Sequence, residues 1–160
     1  MPIQQVNIAA LEVAGGKISV GHRPKLKLLK DFKQSGVSHI WTLLSEHEGA
    51  AEINKAARKN GLQWVWLPLE NGKPPEHSRI ADITDCFARC KTLLTEGAHL
   101  YLHCSAGIHR TGMIGYAFFR YLGLSRTEAL HLLENLRSVT SNGVGESRLA
   151  WGDDYFAKKL

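Results

Sequence analysis

The chain has 160 residues, with 20 Lys and Arg against 15 Asp and Glu, a formal charge of +5. That length suits one compact domain, taken here as residues 1–160, and is cramped for two; 44% hydrophobic and 22% charged residues exclude extensive disorder. Apolar runs of only a few residues exclude a membrane span. The Met1–Gln5 start lacks a signal-peptide pattern, and three cysteines, an odd number, point away from a secreted disulfide framework and toward a cytoplasmic, reducing setting.

Extended and helical segments alternate along the chain. Lys17–Val20 reads as a short strand ending at Gly21, and Pro24 suits the first turn of a helix whose apolar face is Leu28, Leu29 and Phe32. Val37–Leu44 is β-branched and aromatic, a buried strand. Glu48–Asn60 is Ala-rich and helical, with Gly61 placed to end it. Leu62–Leu67 is a further strand, broken by Pro68 and the loop Asn71–Pro75. Ile80, Ile83, Phe87, Cys90 and Leu94 step by three or four, one face of a helix that stops near Gly97. His99–His103 is a short apolar strand, and Met113–Tyr121 an apolar helix. Ser125 and Glu128 form a capping box that opens a helix through about Arg137. The Gly-rich tail from Ser141 gives no clear pattern. The alternation predicts a three-layer α/β domain, with a mostly parallel central sheet flanked by helices.

The segment that carries chemistry is His103-Cys104-Ser105-Ala106-Gly107-Ile108-His109-Arg110-Thr111-Gly112. It lies between a strand and a helix, at the carboxyl end of a strand, where open α/β sheets place their ligands. A tight loop at a helix start turns successive backbone N–H groups inward and makes an anion nest. Gly107 and Gly112 permit the backbone angles and close approach that such a nest needs. The same dipoles favour Cys104 as a thiolate, and the planar fork of Arg110 matches two phosphate oxygens. Phosphoryl transfer to Cys104 would give a covalent intermediate that water hydrolyses, with no metal or other cofactor needed. Thr111 is placed to donate its hydroxyl to the sulfur, and His103 to orient the loop.

This segment, His-Cys-x5-Arg-Thr-Gly, resembles the signature of the cysteine-dependent protein tyrosine and dual-specificity phosphatases, and the small size resembles their compact dual-specificity group. The resemblance extends over most of the chain, through Gly21-x-x-Pro24, the Pro-containing loop after residues 62–67 and the helices flanking the signature. It implies Cys104 as nucleophile, Arg110 as phosphate clamp, and the amides of Ser105, Ala106, Gly107, Ile108, His109 and Arg110 as cradle. It also implies a phosphorylated protein as substrate, through phosphotyrosine and also phosphoserine or phosphothreonine. A small phosphoester is the alternative partner, such as an inositol phosphate or an RNA 5′ end; a phosphate-binding pseudophosphatase is the alternative outside enzymes. Nucleic-acid binding is not otherwise expected.

The family's general acid is an Asp in the loop after the preceding strand. Aligning Pro68 and Gly72 puts Asn71 in that slot, and an amide has no proton to release. Glu70, one position earlier, would supply the carboxyl group if the chain bends at Asn71-Gly72; otherwise the enzyme has no internal acid, or turns over little. His109 stands where tyrosine-specific members carry Gly, and its His-Arg-Thr-Gly ending is similar to a fungal and plant branch acting on inositol pyrophosphates. That branch has further cations in the loop. Here Ser105, Ala106 and Ile108 leave Arg110 as its permanent cation, which suits an aryl or alkyl phosphoester better than a polyphosphate. His109 either faces solvent, packs on the acid loop or touches substrate.

Cys86 and Cys90, four apart on one helix, read as small core residues, with a redox partnership to Cys104 as the alternative. Trp64 and Trp66 share one face of a strand and Trp41 lies in another, in core packing or lining one sheet face. Trp151 either covers the site rim or anchors the terminus. The whole +5 resides in residues 17–33, where Lys17, Arg23, Lys25, Lys27, Lys30 and Lys33 face Asp31 alone; it reads as a solvated helix face, with steering of acidic phosphoproteins or anionic surfaces toward the site as the alternative.

Overall fold

The computed structural model describes residues 8–157; the Met1–Gln5 start and residues 158–160 lie outside it. Among the described residues, five strands form one sheet: β1 (Leu11–Val13), β2 (Gly16–Gly21), β3 (His39–Thr42), β4 (Gln63–Trp66) and β5 (His99–His103), in the order β1-β2-β5-β3-β4. β2, β5, β3 and β4 are parallel, and β1 is an antiparallel addition at one edge. The predicted mostly parallel α/β fold is the observed one. β1 is new: its three residues give no periodicity, and it is made by a tight turn in which Ala14 and Gly15 both have positive φ. β5 lies at the centre and every one of its residues is buried, as a continuous apolar run requires.

Seven α-helices among the described residues connect and flank the strands: α1 (Leu29–Gln34), α2 (Ala50–Lys59), α3 (Ile80–Thr95), α4 (His109–Tyr121), α5 (Arg126–Leu136), α6 (Ser138–Gly143) and α7 (Glu146–Phe156). The predicted stripe on α3 is buried from Ile83 to Leu94. The core closes where Phe87 of α3 and Phe118 of α4 meet Trp41 of β3 edge-on, with ring centroids 6.2 and 5.3 Å away. The capping box of α5 forms as read: the Glu128 amide donates to Ser125 Oγ at 3.1 Å, and the Ser125 amide to Glu128 Oε1 at 3.0 Å.

Four boundaries differ from the reading. Pro24 precedes a 3-10 turn at Leu26–Leu28 rather than sitting in the helix. Glu48 ends a separate 3-10 turn, because Gly49, at φ +89°, breaks the path into α2. α4 starts four residues before Met113, so Arg110, Thr111 and Gly112 belong to its buried first turn; no apolar periodicity marks that polar stretch. The tail is ordered as α6 and α7. Gly152 brings α7 against α4, since a Cβ there would meet the Cα of Ala117 at 3.2 Å. Trp151 is buried against Phe156, so it anchors the terminus. Trp64 and Trp66 do share one face, stacked at 5.4 Å, but β4 is an edge strand and Trp66 remains 41% exposed. No helix among the described residues is long and apolar enough to cross a membrane.

Candidate active site

The register aligns Gly21 of β2, His103 of β5 and Thr42 of β3 at the carboxyl edge of the sheet. The loop from Cys104 to Ile108 leaves the central strand there and runs into α4. Its carbonyls are all engaged. Ser105 O accepts the Arg23 amide at 2.8 Å, and Ala106 O accepts Arg137 Nη1 at 3.1 Å. Gly107 O accepts Arg137 Nη1 at 2.8 Å and Thr140 Oγ1 at 2.5 Å, and Ile108 O accepts the Gly112 amide at 2.8 Å. The amides of Ser105 to Ile108 have no protein partner among the described residues. Carbonyls tied outward and amides left free make an anion nest. Gly107 holds the bend at φ +73°; a Cβ there would stand 2.2 Å from the Gly21 carbonyl, so any side chain forces the loop off β2.

Cys104 is buried at the floor, 3% exposed, and Thr111 Oγ1 donates to its sulfur at 3.1 Å. Arg110 is 9% exposed and held by a partner the sequence reading missed. Its Nη1 donates to Glu48 Oε1 at 2.7 Å and to the Leu69 carbonyl at 2.9 Å, and its Nη2 to Glu48 Oε2 at 2.9 Å. A guanidinium has five N–H groups in a fixed plane. Three are used here, which leaves Nε–H and one Nη2–H on a single edge, the geometry that grips two phosphate oxygens. The Arg110 guanidinium holds the Glu48 carboxyl at about 2, assisted by the Ser45 amide and hydroxyl against partial burial.

His103 is fully buried, and its hydrogen bonds fix one tautomer. The Cys104 carbonyl can only accept, so Nδ1 carries the proton at 2.9 Å. Nε2 then accepts from Thr42 Oγ1 at 2.8 Å, and that oxygen accepts from Trp64 Nε1 at 2.8 Å. Burial pushes the imidazole down to about 4, with Arg23 and Arg110 nearby acting in the same direction. The unfolded chain therefore binds protons before the folded one does, and folding stability falls as pH drops from about 6.5 through about 4. Burial depresses His39 and His99 too, so both add to the loss of stability as pH falls below about 6.5. Glu48 adds a second loss, as pH falls from about 4.5 toward about 2. Unfolding free energies from urea titrations between pH 7 and 4 should drop by up to ~3 kcal/mol on account of His103. His103→Gln should flatten that part of the curve; a curve of unchanged slope would refute the assignment.

Residues 14–123 match the family described as "Tc-R-P: Polymorphic toxin system, DSP-PTPase phosphatase". The chain belongs to that family. It is a cysteine-dependent phosphatase of the dual-specificity, protein tyrosine phosphatase type. No curated protein matches it. Among solved structures, the phosphatase resembles Tk-PTP in its active form, with 19% identity, TM-score 0.73, and coverage of 91% of this chain and 95% of that one. It also resembles kinase associated phosphatase carrying a Ser in place of its catalytic-site Cys, with 16% identity, TM-score 0.76, and coverage of 98% and 99%. PTPMT1 in complex with PI(5)P is similar at 17% identity, TM-score 0.73, covering 92% and 94%. At these identities the likeness is one of fold.

In this phosphatase the loop after β4 borders the cradle through Leu69, whose carbonyl meets Arg110. Glu70 is exposed, with no hydrogen bond among those described. Asn71, in the usual Asp slot, turns its Oδ1 back to accept the Lys73 amide at 2.9 Å. His109 is exposed on the other side and packs on this loop: a Cβ at Gly72 would lie 3.0 Å from that of His109.

The mouth is also richer in charge than the loop sequence indicates. Arg23 donates to the Glu48 carbonyl, Arg137 to the loop carbonyls, and Arg148 Nε to the Gly72 carbonyl at 2.5 Å. None of the three has a carboxylate within ion-pair distance among the described residues. Bonds to carbonyls leave their charges uncancelled, so Arg110 is not alone. The lysines of residues 17–33 are exposed, as expected of a solvated face, and Arg23 is the exception. Cys86 and Cys90 lie on α3, the latter in the core, where the neighbouring Cys86 thiol and burial push its own thiol up, away from reactivity.

Proposed function

We propose that residues 1–160 act as a single phosphatase domain, which removes phosphate from phosphotyrosine, and also from phosphoserine or phosphothreonine, in proteins. The observation that carries the reading is the loop whose carbonyls are all tied while its amides are free, closed over Cys104 by the unused edge of Arg110. A phosphoryl group seated there presents phosphorus to the sulfur. Attack by the Cys104 thiolate forms the S–P bond as the ester P–O bond breaks. The amides of Ser105 to Arg110 and the Arg110 fork hold the equatorial oxygens, whose charge they match without reorganising. In the second step water attacks phosphorus and the sulfur leaves; the Thr111 hydroxyl stabilises the departing thiolate. His103 keeps the loop oriented through the Cys104 carbonyl.

A second reading, a small phosphoester bearing further anionic groups, is supported by the uncancelled charges of Arg23, Arg137 and Arg148. Acid quenching during turnover of para-nitrophenyl phosphate, followed by mass spectrometry, should find a phosphate adduct on Cys104. Turnover without an adduct at that residue would refute the mechanism. Comparing kcat/KM for phosphotyrosyl peptides with that for soluble inositol phosphates separates the two substrate readings.

A further inference from the structure

We propose that His109 is the general acid of the first step and the general base of the second, in the office that Asn71 cannot fill. The inference rests on Cys104 being the nucleophile. An in-line displacement puts the leaving oxygen opposite the sulfur, at the mouth, between the first turn of α4 and the loop after β4. Two side chains beside that opening carry a group that can give and take a proton, Glu70 and His109. Asn71 is folded onto the Lys73 amide and has no proton to give. Glu70 lies with Asn71 in the bend of residues 70–73, exposed and with no hydrogen bond among the described residues, so nothing in the fold holds its carboxyl group at the mouth.

His109 is placed differently. It immediately precedes Arg110, so its backbone is part of the helix turn that grips the phosphate. Its Cβ faces Gly72, where an added methyl group would stand only 3.0 Å away, so the stem lies close against the loop. Gly72 is itself pinned by Arg148 Nε, which also ties the loop to α7. Thus His109 sits between the two sides of the mouth with its stem against the loop, while neither ring nitrogen has a hydrogen-bond partner among the described residues. The ionisable groups on the elements packed against it are Arg110 and Cys104 of the cradle, Arg148 of α7, and Glu70 and Lys73 of the loop. Histidine changes charge near neutrality, where proton transfer in both directions is efficient.

The steps balance. As the S–P bond forms, the ester P–O bond breaks and its electron pair stays on the leaving oxygen, which takes the proton of the imidazolium. The neutral ring then removes a proton from the attacking water as the new O–P bond forms. The S–P pair returns to sulfur, and the imidazolium is restored.

The test compares phenyl phosphate, a poor leaving group, with dinitrophenyl phosphate, a good one, across pH. In the wild type, kcat/KM for phenyl phosphate should fall on the alkaline side as the acid loses its proton. In His109→Ala that limb should vanish, and the ratio of kcat/KM for dinitrophenyl to phenyl phosphate should widen by ~10²-fold. His109→Gln, which hydrogen-bonds without a proton to give, should behave like the Ala variant. His109→Asp should restore part of the phenyl phosphate rate, with its limb at lower pH. Retention of the alkaline limb in His109→Ala, or an equal loss for both esters, overturns the proposal; so does loss of the limb in Glu70→Gln. Phosphocysteine trapped on Cys104 in His109→Ala with dinitrophenyl phosphate keeps a failure here distinct from a failure of the nucleophile assignment, and shows that the variant is folded.

Discussion

Replacing Cys104 with Ser should lower turnover of para-nitrophenyl phosphate by ~10⁴-fold or more while the protein still binds inorganic phosphate or vanadate. The two effects separate because different atoms produce them. Binding comes from the free amides of the loop and the open edge of Arg110, and neither depends on sulfur. Attack requires an anionic nucleophile, and a serine hydroxyl stays protonated in a site that has no base beside it: the nearest hydroxyl, Thr111, donates to that position rather than accepting from it. Ser is smaller than Cys and nearly isosteric, so the buried floor keeps its packing. Rates would be followed by release of the nitrophenolate, and anion binding by protection against thermal unfolding. Loss of anion binding in the variant would mean that the loop itself had collapsed; retention of more than a hundredth of the rate would mean that another nucleophile is at work.

The cradle was legible in the sequence because its chemistry is contiguous. A strand, a cysteine, five loop residues, an arginine and a helix follow one another, and local geometry turns that order into an anion site. The partners that hold the cradle were not legible, for the opposite reason. Glu48 precedes Arg110 by 62 positions and sits in a Ser45-x-x-Glu48 box, whose spacing already has an ordinary explanation as a cap. Arg137 stands between two helices and Thr140 is buried within the second, in a stretch whose sequence has no periodicity to mark either. The tail hid its helices because its glycines have two different uses. Gly145, at φ +86°, precedes α7, whereas Gly152 lies inside it and allows close packing on α4. Composition alone does not distinguish these. The further charge at the mouth was hidden in the same way: Arg23, Arg137 and Arg148 come from three separated segments, and only the fold gathers them.

Exchanging Arg110 for Lys should cost ~10³-fold in kcat/KM, although the charge is kept. The loss follows from counting donors. Arg110 spends three N–H groups on Glu48 and Leu69 and still offers a coplanar pair to phosphate. An ammonium has three donors on one nitrogen, so a lysine that satisfied Glu48 and the Leu69 carbonyl would have one left, and no planar fork. Glu48→Gln tests the same bond from the other end. The amide keeps one acceptor but turns an NH₂ group toward the guanidinium, which then loses its bidentate hold and swings. A loss of ~10- to 100-fold in kcat/KM is expected, together with ~1–2 kcal/mol of stability, a modest figure because the Glu48 side chain is 31% exposed. The acid-side stability loss between about 4.5 and about 2 should shrink in the same variant, since the group whose depressed titration produces it is gone. If Glu48 acts by aiming Arg110, the double variant should lose little more than Arg110→Lys alone. Additive losses would instead give Glu48 a separate role.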